Sequence, residues 1–130
     1  TNYYSGYKGN VTARNALKES MNTPAIRVLQ QVGVDYSYDF MTKKLGFTSL
    51  VDNEIRNGKK YTDKNLSSLA LGGLTDGVNA TELAAAYATF ANNGLYNKPH
   101  LYTKVVNSEG DILLENVLDT GVNIVACRDM

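Results

Sequence analysis

Between Asn79 and Gly94 the chain carries its strongest periodic signal. Leu83, Tyr87, Phe90 and Ala91 fall at i, i+4, i+7 and i+8, one face of an α-helix. Both ends are marked. Asn79 can accept from the N–H three residues on while Glu82 reaches back, a capping-box arrangement, and Asn93-Gly94 supplies the stop.

Shorter helices are expected upstream. Thr12 can cap a helix whose apolar positions Ala13, Ala16 and Leu17 share a face, with Asn22 and Thr23 interrupting it. Pro24 then fits as the first residue of a second helix, because its missing N–H would be unpaired there anyway. That helix carries Ala25, Val28, Leu29 and Val32 and stops at Gly33; a third, about Ser37 to Leu45, has Phe40, Met41 and Leu45 as its buried stripe. Residues 48–64 are polar around Asn57-Gly58 and read as a solvated loop or a short ribbon. In the stretch from Leu66 to Gly73 small residues would let backbones approach closely. After Pro99, Leu101 to Val106 and Ile112 to Glu115 read as strands flanking a turn at Asn107-Ser108-Glu109-Gly110. The expected class is mainly α with a small β hairpin, without internal repeats.

Composition narrows the partners. A length of 130 residues suits one domain, and 43% hydrophobic with 20% charged residues is too apolar for a disordered chain. Lys plus Arg equals Asp plus Glu at 13 each, so charge gives no reason to expect nucleic acid or an anionic membrane as partner. Cys127 and His100 stand alone in their types and the carboxylates lack ligand spacing, so neither a metal nor a cofactor is expected. The sequence has no apolar run near the ~20 residues that span a bilayer. The start, Thr1-Asn2-Tyr3-Tyr4, has neither an initiator Met nor signal-peptide character, and the chain reads as a piece of something longer.

The triplet Ser20-Met21-Asn22, between two helices, could by itself be mere capping, which favours the same residue types. Its surroundings say more. Val11 to Ala25 resembles the segment around the second active-site motif of bifunctional penicillin-binding proteins. Leu69-Ala70-Leu71-Gly72-Gly73, Gly77 to Ala84 and Ala86 to Gly94 resemble further blocks of that family, in the same order and over about residues 2–116. The resemblance implies the helical lobe of the serine β-lactamase/penicillin-binding transpeptidase fold, lacking much of its central sheet. It implies that residues 1–130 are a partial transpeptidase domain, with 117–130 a divergent tail.

In that family a Ser opening a Ser-x-x-Lys helix attacks the D-Ala-D-Ala carbonyl of a peptidoglycan stem peptide, and β-lactams acylate the same Ser. By resemblance Ser20 would relay a proton between the motif Lys and the leaving amine, and Asn22 would bond that Lys and the substrate amide. Stem peptide and β-lactams would be partners of the complete domain, on the extracytoplasmic face of the bacterial membrane. The third motif, Lys-Thr-Gly or Lys-Ser-Gly, does not occur in the chain. Ser5-Gly6-Tyr7-Lys8 fits Ser-x-x-Lys as a string, but Gly6 and Gly9 make it a loop, and it lies too close to Ser20. Asp119-Thr120-Gly121 matches the string of dimeric aspartic proteases, yet helical periodicity and only nine following residues favour a capping Asp before a turn. The expectation is therefore a chain that is inactive alone. The other reading is a non-catalytic interaction or scaffold module derived from the same fold. The isolated chain is expected to expose an apolar surface where the nucleophile helix and sheet would dock, and to self-associate through it.

Overall fold

The computed structural model describes Gly6, residues 8–116 and residues 122–123. Ser5, Asp119-Thr120-Gly121 and Cys127 lie outside the described residues, as does most of the tail from 117. Two compact units are formed, one from the stretches up to Thr42 and Thr48–Val78, the other from Lys43–Phe47 and the chain from Asn79 onward.

The first unit opens with α1 (Ala13–Lys18), whose N-cap Thr12 accepts from the Asn15 N–H at 3.3 Å. Helix α2 (Asn22–Val32) starts two residues earlier than expected: Asn22 and Thr23 do not interrupt a helix but begin one, and Pro24 stands third in it. The first turn tolerates this, because the N–H that proline lacks would have no partner within the helix. Helix α3 (Val34–Asp39) is shorter than expected and begins earlier; Phe40–Lys44 continues it as a π-helical turn. The Thr42 hydroxyl donates back to the Tyr38 carbonyl at 2.9 Å, a side-chain bond of the kind that distorts a helical ladder.

The polar stretch 48–64 holds a true ribbon, β1 (Glu54–Arg56) paired antiparallel with β2 (Lys59–Tyr61). Asn57 and Gly58 close it at φ 52° and 73°, the left-handed pair that a two-residue hairpin turn needs to match strand twist. Next comes α4 (Leu66–Leu71), a helix that the small-residue composition of the segment hides. Asn65 caps it, accepting from the Ser68 N–H at 2.9 Å. Helix α4 packs along α2, and α1 and α3 also lie against α2.

The second unit is built on α5 (Ala80–Ala91), the expected long helix. Its cap departs in detail: the Asn79 side chain accepts from Thr81, two residues on, at 2.8 Å. Strand β3 (Leu95–Tyr96) pairs antiparallel with β6 (Val122–Asn123). The expected hairpin is β4 (Lys104–Val106) with β5 (Ile112–Glu115), and a bulge interrupts its register after Val105. Its turn is tied by Asn107, whose side-chain oxygen accepts from Glu109 and Asp111 N–H at 3.0 and 2.8 Å.

Among the described residues the buried apolar side chains are Ala16, Met21, Leu50 and Val51 in the first unit and Phe47 in the second. The stripe Phe40, Met41 and Leu45 is half-buried rather than buried. Leu83, Tyr87 and Phe90, the face that made α5 legible, are exposed at 41%, 67% and 67%. Among the described residues no helix is long and apolar enough to cross a membrane.

Candidate active-site segment

The turn between α1 and α2 brings Ser20 and Asn22 to the surface of one motif. Helix α1 ends at Lys18 with Glu19 as its C-cap, and the chain then adopts φ +49° at Ser20. The Ser20 N–H donates to the Leu17 carbonyl at 3.0 Å, and the Met21 N–H reaches back to the Ala16 carbonyl at 2.9 Å. This pair of bonds is a Schellman closure: it satisfies carbonyls that the end of a helix leaves open, with Ser20 at the left-handed position that glycine usually takes. Met21 returns to extended backbone, φ −77° and ψ 120°, as the N-cap residue of α2. Ser20 is exposed, Met21 buried and Asn22 half-buried, so the two polar side chains flank a buried one. Lys8 forms an ion pair with Glu19, the residue preceding Ser20.

The first unit also holds a polar clamp centred on Asp63, which is fully buried. One of its carboxylate oxygens accepts from the Val51 N–H at 2.9 Å; the other accepts from the Thr75 N–H at 2.7 Å and the Thr75 hydroxyl at 2.6 Å. Burial alone would raise the Asp63 carboxyl, but these donors outweigh it and hold it below the ordinary carboxylate value. The clamp ties segments twelve residues away on either side to the chain that enters α4. Arg56 reinforces it from β1, gripping Asp76 in a two-point contact at 2.7 and 2.5 Å and Glu54 at 2.6 and 2.8 Å. Lys64 bonds Asp35 at 3.0 Å and lies 5.4 Å from the Tyr38 ring centre, and the Tyr38 hydroxyl donates to the Leu50 carbonyl at 3.1 Å. Burial raises the Tyr38 phenol, consistent with its serving as a donor.

The other candidates contribute less. His100 is exposed, with Nδ1 3.4 Å from the Lys98 carbonyl. Among the described residues no cluster of His, Cys, Asp or Glu is arranged to hold a metal ion. A shallow depression of about 550 Å³ is walled by Thr48–Glu54 and Asp76. Its carboxylates are already committed, Glu54 and Asp76 to Arg56 and Asp52 to the neighbourhood of Lys64.

Comparison with known proteins gives this geometry its family. The profile described as the penicillin-binding protein transpeptidase domain matches residues 1–123. The chain belongs to the penicillin-binding protein transpeptidase family. Penicillin-binding protein 1A of Clostridium novyi is 40% identical over 113 residues, 86% of this chain and 12% of that protein. Penicillin-binding protein 4 of Bacillus subtilis is 38% identical over 112 residues, 86% of this chain and 16% of that protein. Penicillin-binding protein 1F of the same species is 33% identical over 115 residues, covering 88% and 14%. The chain thus spans about one-eighth to one-sixth of the length of these transpeptidase relatives.

Within this transpeptidase segment the sequence singled out Ser20 and Asn22, which stand one residue apart at a helix junction. Met21 and Asp63 were not singled out. Met21 looks like a spacer in the triplet, and only the break between α1 and α2 exposes its place. Asp63 sits in a polar run, and its partners lie too far along the chain for any local pattern to reveal them.

Proposed function

We propose that this chain supplies one wall of a peptidoglycan D,D-transpeptidase site, with Ser20 and Asn22 as its working groups. The observation that carries the reading is the Ser20-Met21-Asn22 turn, which sets both polar side chains on either side of a buried anchor. A serine nucleophile from elsewhere in the complete domain attacks the D-Ala-D-Ala carbonyl, the C–N bond breaks, and the departing amine must gain a proton. A hydroxyl both donates and accepts, so Ser20 passes a proton from the motif lysine to that amine. Asn22 offers an amide donor and a carbonyl acceptor to the same lysine and to the substrate backbone. β-Lactams, which mimic the substrate, acylate the same nucleophile, and the work is done on the extracytoplasmic face of the bacterial membrane. Ser-x-x-Lys in a helix and Lys-Thr-Gly come from outside this chain, which is inactive alone.

A second reading, a non-catalytic interaction or scaffold module on the same fold, is favoured by one observation. Leu83, Tyr87 and Phe90 stand exposed on α5, a face suited to docking and to self-association. A chimera separates the two readings. This chain replaces the matched segment of the Bacillus subtilis relative, penicillin-binding protein 4, and acylation by a fluorescent penicillin is timed. Acylation is expected, slowed roughly a hundredfold by Ser20→Ala, the scale of lost proton-transfer catalysis, and slowed as well by Asn22→Ala, which removes hydrogen bonds to the lysine and the substrate. A folded chimera that acylates at an unchanged rate with Ser20→Ala would overturn the catalytic reading.

A further inference from the structure

Two neighbouring residues of the triplet depart from local preference in the same turn. Ser20 takes a left-handed conformation at the position where glycine is the usual residue. Met21 occupies the N-cap of α2, where Ser, Thr, Asp or Asn would offer an oxygen to the free N–H groups, and no side-chain cap is made. A turn selected for stability would carry Gly and then Ser or Asp. Adjacent departures of this kind mark places where something other than local stability sets the sequence.

What Met21 does instead is legible in its surroundings. It is 7% exposed, as is Ala16, the residue whose carbonyl its N–H bonds. An apolar contact between these two positions is the usual partner of a Schellman closure. Met21 is therefore the last element of the α1 stop and the first of the α2 start at once.

We propose that Met21 is the positioning residue of this turn: burial of its side chain holds Ser20 in the left-handed conformation and sets Asn22 as the first residue of α2. The proposal rests on the reading of Ser20 and Asn22 as site residues. It says that the apolar middle residue, through its size, determines the placement of both polar ones.

Met21→Ser makes the test selective, because serine is the better N-cap and would strengthen α2 if capping were the role of the position. Amide hydrogen exchange of Ser20 and Met21 is followed by NMR in the isotope-labelled chain, with far-UV circular dichroism to verify that the helices persist. Met21→Leu is expected to keep both amides within about threefold of the parent rates, and Met21→Ser to speed them at least about tenfold. Met21→Ala, the milder truncation, falls between them and serves if the Ser variant unfolds. In the chimera, penicillin acylation is expected to follow the same order, near the parent rate for Leu and about tenfold or more slower for Ser. Exchange in Met21→Ser as slow as in the parent, or acylation unchanged despite faster exchange, would overturn the proposal. A folded chimera that fails to acylate with Met21 in place would instead count against the reading of Ser20 and Asn22. The exchange rates in the chain alone still decide the hold of Met21 on the turn.

Discussion

Ser20 and Asp63 show how single residues carry opposite kinds of cost. A left-handed conformation costs an L-residue with a Cβ roughly 1–2 kcal/mol that glycine is spared. Ser20→Gly is therefore expected to stabilise the chain by about 1 kcal/mol in urea unfolding while removing the hydroxyl. A fall in stability would show that the serine side chain itself supports the turn. Asp63 is the reverse case, a buried charge repaid by three donors. Asp63→Asn keeps an acceptor for Thr75 but turns an amide N–H toward that of Val51, at a cost of about 1–3 kcal/mol. Because the folded carboxyl lies below its unfolded value, its contribution is fully present above the unfolded pKa of about 3.9. It is lost as pH falls through the lower folded value. Melting temperatures between pH 5 and 2 should drop less steeply for Asp63→Asn than for the parent chain. Neither residue's state was legible in sequence: nothing local marks a serine for positive φ, and the partners of Asp63 come from distant segments.

At the scale of elements, the sequence was most readable where periodicity and cap agreed. Helix α5 and the Asn57-Gly58 turn needed no tertiary information, since the first is set by 3.6-residue spacing and the second by the left-handed tolerance of Asn and Gly. Helix α4 is hidden in the sequence because its six residues are too few to show a period, and its support comes from packing along α2. Pro24 marks the start of α2 only to within a turn, because proline is tolerated throughout the first turn and the helix begins two residues before it. The cap of α4 is a discrete prediction at this level. Asn65 caps its N-terminus and also bonds the Ser68 hydroxyl and the Thr62 carbonyl, each at 3.0 Å. Asn65→Ala should cost about 1–2 kcal/mol in denaturant unfolding, while Asn65→Asp, which keeps the capping oxygen, should cost less.

For the molecule as a whole, the same feature that made α5 legible bears on association. Leu83, Tyr87 and Phe90 are spaced to face a core, and the described residues leave them exposed. Contiguous apolar faces of this kind seek cover. We expect the chain to associate at high concentration in sedimentation-velocity experiments, and the double change Tyr87→Lys with Phe90→Glu to shift it toward monomer without loss of helix. A parent chain that stays monomeric and binds no hydrophobic dye would contradict that expectation. The family was readable from short blocks in order, because such blocks preserve side-chain chemistry that composition discards. On the proposed reading the segment holds the Ser20–Asn22 half of an acyl-transfer site and no nucleophile of its own. Intact-protein mass spectrometry of the chain after incubation with excess penicillin tests it most directly. An unchanged mass is the predicted result; a stable adduct on one serine, Ser5 or any other, would contradict it.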